Sequence, residues 1–176
     1  MSLNIGIDFG GVLSVHDEPN ADGASHKSTA INIVDAVDSL KLLKEAGHKL
    51  YLNSFCGRRR AVETKAAIEK EIPNIFDGIY FVKSKKYKDD ITKFIGCDVM
   101  IDDTLDILVN IHHSKTCSNL FWFQGDPTFS DKRKIPKGTN IIAVDSWKKI
   151  VDICSHMKPS AIADPSIDIE PKRHVV

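Results

Sequence analysis

Asn4-Ile-Gly-Ile-Asp-Phe-Gly-Gly-Val-Leu13 decides how this chain is read. A short run of buried-strand type ends in a carboxylate, Asp8, and two glycines follow after Phe9. A buried strand is a costly place for an uncompensated charge. Its carboxyl end is different, because open α/β sheets build their sites there. Glycines at that point let the backbone approach a ligand closely or take positive φ. Asp8 therefore reads as a reactive or metal-binding group.

Outward from this stretch, apolar runs alternate with segments of helical period. Strands are expected at Ile5–Ile7, Lys49–Leu52, Ile79–Val82, Val99–Ile101, Leu120–Phe123 and Ile141–Val144. Ile33, Val37, Leu40 and Leu43 share one helical face, which predicts a helix from about Thr29 to Ala46 that stops at Gly47. Further helices are expected at about Arg59–Glu71, Asp89–Ile95, Leu105–His113 and Trp147–Met157. Such βαβ alternation predicts an α/β, three-layer Rossmann-like fold, a mostly parallel sheet with helices on both faces. Ser14–Ser28 reads as a long polar loop, and long loops in compact domains are usually functional or mobile. The expected domain is 1–157. The stretch 158–176, with Pro159, Pro165 and Pro171 and no sustained period, is expected to be a poorly ordered tail.

The 176 residues suit one domain that buries about two-thirds of its unfolded surface. Acidic and basic residues balance at 24 each, so no global field points to nucleic acid or to a membrane surface. No run approaches the roughly 18 apolar residues of a membrane span. Cys56, Cys97, Cys117 and Cys154 are widely spaced without a CxxC pair, which suits reduced thiols and a cytoplasmic location.

Three other strand ends carry polar groups: Asn53-Ser54, Lys83-Ser-Lys-Lys-Tyr-Lys88, and Asp102-Asp103-Thr104. A parallel sheet brings its strand ends to one edge, where these groups can converge with Asp8. Asp8 can be a nucleophile or a metal ligand, and Ser54 can hydrogen-bond a phosphoryl oxygen. A lysine would offset the charge of nucleophile and phosphate. Asp102 or Asp103 would complete a hard-oxygen site of the kind Mg²⁺ uses.

This ordered set resembles the haloacid-dehalogenase-like (HAD) hydrolase superfamily, from Ile5 to about Leu108. The resemblance implies that Asp8 is the nucleophile and that Ser54 is the Ser/Thr of the second motif. It makes Asp102-Asp103 the acidic pair of the fourth. The third-motif lysine has two placements: Lys88 has the family's spacing to Ile91, Lys86 fits a second common spacing, and Lys88 is favoured. By the same resemblance the cofactor is Mg²⁺, held by Asp8, the Gly10 carbonyl, Asp102 and Asp103. The chain looks like the capless type, with nothing long enough for a cap domain after Asp8 or after Ser54. Open sites of that type take a phosphorylated substrate, small molecule or macromolecule.

At Gly10 the sequence departs from the family. The usual pattern is Asp-x-Asp, with the second aspartate as general acid and base, and here it is Asp8-Phe9-Gly10. Loss of that help commonly costs a factor of roughly 10² to 10⁴. Three outcomes follow: a slow phosphohydrolase, takeover by a loop residue such as His16, Asp17 or Glu18, or a catalytically inactive protein that binds a metal or phosphorylated ligand. Asn53, Arg58, Arg59 and Lys86 are the expected substrate contacts, the arginines because Gly57-Arg-Arg-Arg60 opens a helix close after Ser54.

Other signals read as structural. Cys56 lacks an arginine six positions later, where Val62 stands, so a tyrosine-phosphatase loop is ruled out. His112 and His113 are adjacent on a helix, point about 100° apart, and suit a helix C-terminus better than a metal. Trp122 between Phe121 and Phe123 has no basic residues interleaved, as a core strand would not.

Overall fold

The computed structural model describes residues 2–16, 18–19, 25–26 and 29–158. The chain runs β1 (Asn4–Ile7), β2 (Glu18–Pro19), β3 (Ser25–His26), α1 (Ala36–Glu45), β4 (Lys49–Phe55), α2 (Arg58–Glu71), β5 (Gly78–Val82), α3 (Tyr87–Phe94), β6 (Val99–Asp102), α4 (Leu105–Ser114), β7 (Asn119–Phe123), β8 (Ile141–Val144) and α5 (Trp147–His156). Six strands form one sheet in the order β5-β4-β1-β6-β7-β8, and each pairing in it is parallel. β2 and β3 form a separate antiparallel pair.

Side chains of a strand alternate between faces, and that alternation builds two cores. Ile5, Ile7, Leu50, Leu52, Val99, Ile101, Phe121 and Phe123 share one core with Leu40 and Leu43 of α1 and Trp147 and Ile150 of α5. Met100, Leu120 and Trp122 share the other with Leu105, Leu108 and Ile111 of α4 and the half-buried Ile91 of α3. The three-layer α/β architecture is the one the sequence pattern predicts. Gly6 serves a close approach: a Cβ there would lie 2.8 Å from Met100 Sδ and 3.1 Å from Cys97 Sγ.

Four local features differ from the sequence expectation. The first helix begins at Ala36 rather than near Thr29. The preceding residues are tied to the turn after β1 instead: Asn32 N and Ile33 N donate to Leu13 O at 3.0 and 3.1 Å, and Val15 N donates to Asn32 Oδ1 at 2.7 Å. Asp35 then takes a left-handed φ of 61°, which no helix interior allows. Second, the loop after β1 contains the β2–β3 pair. Third, β4 runs on through Asn53 and Ser54 to Phe55, in register with β5. Fourth, α3 begins at Tyr87, so Lys88 lies inside it. The side chains of Asp17 and Glu18 and the stretch 159–176 lie outside the described residues. The four cysteines are free thiols. Among the described residues no helix is long and apolar enough to cross a membrane.

Candidate active site

β1 is central, with β4 on one side and β6 on the other. The chain leaves β1 toward β5 and later returns to β6, so its direction of winding reverses beside β1. The crevice outside the strand ends at such a switch point is where open α/β sheets bind ligands. Asp8 stands there. Its N–H continues the ladder to Ile101 O at 3.0 Å, and Phe9 N donates to Asp8 Oδ1 at 2.7 Å.

The turn that follows is closed on itself. Leu13 N and Ser14 N both donate to Phe9 O, at 2.9 and 3.0 Å, and Gly11 N donates to Ser14 O at 2.8 Å. From α5, the buried Trp147 donates its Nε1–H to Val12 O at 2.8 Å. Gly11 has φ 73°, and a Cβ on it would fall within 3.0 Å or less of the Asp103 Cβ, Cγ and Oδ2 atoms. The turn therefore needs glycine at this position for conformation and for space.

Lys88 joins the strand ends. Its Nζ lies 3.0 Å from Asp8 Oδ1 and donates to Asp102 Oδ2 at 2.6 Å, with Lys88 only 1% exposed. Burial alone would lower its pKa, but Asp102 and Asp8 raise it above the ordinary lysine value, so it is a fixed cation. Asn53 sets its position. Asn53 Nδ2 donates to Lys88 O at 2.9 Å and to Thr92 Oγ1 at 3.3 Å, while Thr92 Oγ1 donates to Lys88 O at 2.8 Å.

Asp102 is fully buried, and its Oδ1 accepts from Thr104 N at 2.8 Å. Asp103 accepts a bond from Thr104 Oγ1 at 3.3 Å, and its carbonyl accepts from Trp122 Nε1 at 2.9 Å. Burial, with Asp102 and Asp8 adding their charge, pushes Asp103 up to about 8. Burial also pushes Asp102 up to about 6, against the pull of Lys88. Asp8, Asp102 and Asp103 offer carboxylate oxygens that all lie within 4.8 Å of one another. One ammonium faces three carboxylates, so the cluster carries excess negative charge in little space. Hard oxygens at this spacing, with that excess, fit a divalent cation such as Mg²⁺.

A cleft of about 260 Å³ opens over this cluster, lined among others by Asp8, Gly10, His16, Ser54, Lys88 and Asp103. Phe55, Cys56, Arg60 and Lys85 line it as well, with Phe55 and Lys85 exposed. Burial pushes the Cys56 thiol up, with Asp8 adding to it against Arg60 and Lys88, so it stays protonated beside the site.

Of the expected substrate contacts, none is brought to the cleft. Asn53 is fully buried beneath it and spends its amide on α3. Arg58 and Arg59 are exposed on α2, and Arg59 Nε donates to Glu63 at 2.9 Å. Lys86 is exposed and lies over the Tyr87 ring, 5.0 Å from its centroid. Successive helix residues point about 100° apart, so of three consecutive arginines the structure turns Arg60 to the cleft. Of the lysine run, Lys85 ahead of α3 and Lys88 within it line the cleft. Two further groups support the site without a sequence signal that links them to it. Trp147 holds the turn from α5, and the 5% exposed Asp126 accepts a bond from His16 N at 2.7 Å through Oδ2. Asp126 Oδ1 accepts from Thr128 N and Oγ1 at 2.7 and 2.8 Å.

No protein-family profile matches the sequence, and no curated protein does. Solved structures do match. A D,D-heptose 1,7-bisphosphate phosphatase from B. bronchiseptica, in complex with magnesium and phosphate, superposes with a TM-score of 0.61 at 11% identity, over 87% of this chain and 98% of that one. The chain shares its three-layer α/β fold with that phosphatase. An uncharacterised protein from Listeria monocytogenes serotype 4b gives a TM-score of 0.60 at 14% identity, over 87% and 97% of the two chains. The cobalt-bound deoxy-D-mannose-octulosonate 8-phosphate phosphatase of Haemophilus influenzae gives 0.53 at 14%, over 85% of each. On this fold the chain brings Asp8, Ser54, Lys88 and Asp103 to one cleft, and Asp102 is tied to it through Lys88. Nothing at Gly10 reaches into that cleft as a carboxylate would.

Proposed function

We propose that the chain is a Mg²⁺-dependent phosphohydrolase that acts on a phosphate ester through an aspartyl-phosphate at Asp8. One observation carries this reading: a buried lysine bridges two carboxylates at the ends of β1 and β6, with a third carboxylate beside them. Likeness of fold to phosphatases crystallised with magnesium and phosphate, or with cobalt, supports it.

Asp8, Asp102, Asp103 and the Gly10 carbonyl would hold the metal. Bound there, Mg²⁺ supplies positive charge to the phosphoryl group during transfer. Lys88 pairs with Asp8 and offsets charge on the incoming phosphate. Ser54, at the end of β4, donates its hydroxyl to a non-bridging phosphoryl oxygen. Arg60 and Lys85 of the cleft lining attract the anionic substrate, in the role the sequence reading gave to Arg58, Arg59 and Lys86. The cleft is smaller than the roughly 300–1,000 Å³ of pockets that enclose a whole ligand, so the leaving group extends past Phe55 into solvent. An extended or macromolecular phosphate ester suits that opening.

The test is hydrolysis of an aryl phosphate with and without Mg²⁺. Turnover that needs Mg²⁺ and is lost in Asp8→Asn supports the reading. The absence of a carboxylate at Gly10 favours a second one, a protein that binds phosphorylated ligands without turnover. Activity in Gly10→Asp alone, with an inert native chain, would select it.

A further inference from the structure

The side chain missing at position 10 leaves a space, and the structure fills it with another residue. A Cβ built on Gly10 would lie 3.4 Å from His16 Nδ1 and 3.9 Å from His16 Cε1, with no other described residue beyond its chain neighbours within 4 Å. The imidazole therefore lies in contact with the place where an aspartate side chain at position 10 would begin. His16 lines the same cleft as Asp8, Ser54 and Lys88. Its Nδ1 is shielded from solvent and has no hydrogen-bond partner among the described residues. Leaving a buried polar atom unpaired is costly, so an oxygen arriving at that nitrogen would recover a hydrogen bond. The backbone that carries the ring is held in place, because His16 N donates to the buried Asp126 carboxylate and Asp126 is itself fixed by Thr128.

We infer that His16 is the catalytic proton donor and acceptor of this site, standing in for the side chain absent at Gly10. The inference rests on the proposed phosphohydrolase reading. In the first step an Asp8 carboxylate oxygen forms a bond to phosphorus while the bond from phosphorus to the leaving oxygen breaks. That oxygen keeps the electron pair and takes a proton from His16. In the second step a water oxygen bonds to phosphorus and the Asp8–phosphorus bond breaks. The water proton passes to His16, which is restored, and one water is consumed for one phosphate released. Both displacements are in line with Asp8, so the water enters where the leaving oxygen departed and one ring position serves both proton transfers.

Leaving-group dependence separates this role from a packing role. The first step on 2,4-dinitrophenyl phosphate needs little proton help, because the phenolate is stable; an alkyl phosphate such as glycerol phosphate needs it fully. Single-turnover phosphorylation by the alkyl ester is expected to fall roughly 10² to 10⁴-fold in His16→Gln. With the dinitrophenyl ester the first step should lose far less, and the slowed second step should give a burst of one dinitrophenolate per enzyme. His16→Ala should behave alike and recover with added imidazole, which covers failure of the Gln variant to fold. Equal losses on both esters, or native rates on both, would overturn the assignment. If Asp8→Asn abolishes turnover while both His16 variants keep native rates, this inference fails and the phosphohydrolase stands. If the native chain with Mg²⁺ hydrolyses neither ester, both fail together.

Discussion

The Asp103 carboxylate occupies the volume that any side chain on Gly11 would take. The turn after β1 and the end of β6 are thus fitted to one another through a residue with no side chain and a left-handed φ. Gly11→Ala should strain the backbone, by about 1–3 kcal/mol, and push Asp103 away from Asp8 and Asp102. Denaturant unfolding and Mg²⁺ titration calorimetry check this. We expect a lower midpoint and weaker Mg²⁺ binding together, whereas loss of stability with native Mg²⁺ affinity would separate Gly11 from the carboxylate cluster.

Lys88 is the cation that makes the buried carboxylates tolerable. Lys88→Met keeps much of the volume and leaves Asp8 and Asp102 without their partner. Breaking a buried pair from one side typically costs about 3–5 kcal/mol. Equilibrium unfolding in Mg²⁺-free buffer should show a loss of that order. A change below about 1 kcal/mol, the scale of exposed ion pairs, would mean the site is far wetter than its burial implies.

Trp147 ties α5 to the turn that carries the site. Trp147→Phe retains a ring but leaves Val12 O without the indole donor. The expected cost is about 1–3 kcal/mol for an unsatisfied buried carbonyl. Thermal unfolding measures it, and faster amide exchange at Gly11 and Ser14 should accompany it, since the turn's own bonds lean on that anchor.

His48 links stability to pH. Its Nδ1 accepts the Leu3 N–H at 3.1 Å, which only the unprotonated nitrogen can do, and burial lowers its pKa below the ordinary 6.5. Above the unfolded value both states are neutral and the contribution is complete. As pH falls below 6.5 the unfolded chain takes the proton first, so stability declines toward the lower folded pKa. His48→Asn keeps an acceptor and removes the titration. Its stability should vary less between pH 7 and pH 5 than that of the native chain, and equal slopes would dismiss the linkage.

Much of the fold was legible because each strand but one near the site is a short apolar run ending in a chemically active residue. Asp8, Asp102 and Asp103 could be placed at one sheet edge from order alone, and the choice of Lys88 came from the family resemblance. The errors have local causes. Ile33 fits the helical period of Val37, Leu40 and Leu43 by coincidence, but its N–H is committed to Leu13 O, so the helix starts later. Asn53 looked like a ligand because polar residues at strand ends usually are. Here β4 continues three residues past its expected end at Leu52, and the amide is spent on α3. Arg58 and Arg59 were indistinguishable from Arg60 until the helix gave each its direction. The bond from His16 to Asp126 spans 110 residues, and no periodicity or motif can announce such a contact.

The central claim is that phosphate passes through Asp8. Reduction of an acid-quenched reaction with borohydride converts an aspartyl-phosphate to homoserine, and peptide mass spectrometry locates it. With an aryl phosphate and Mg²⁺, homoserine should appear at position 8, and it should vanish when Mg²⁺ is chelated. Turnover without homoserine at position 8, or with the trapped residue elsewhere, would contradict the account.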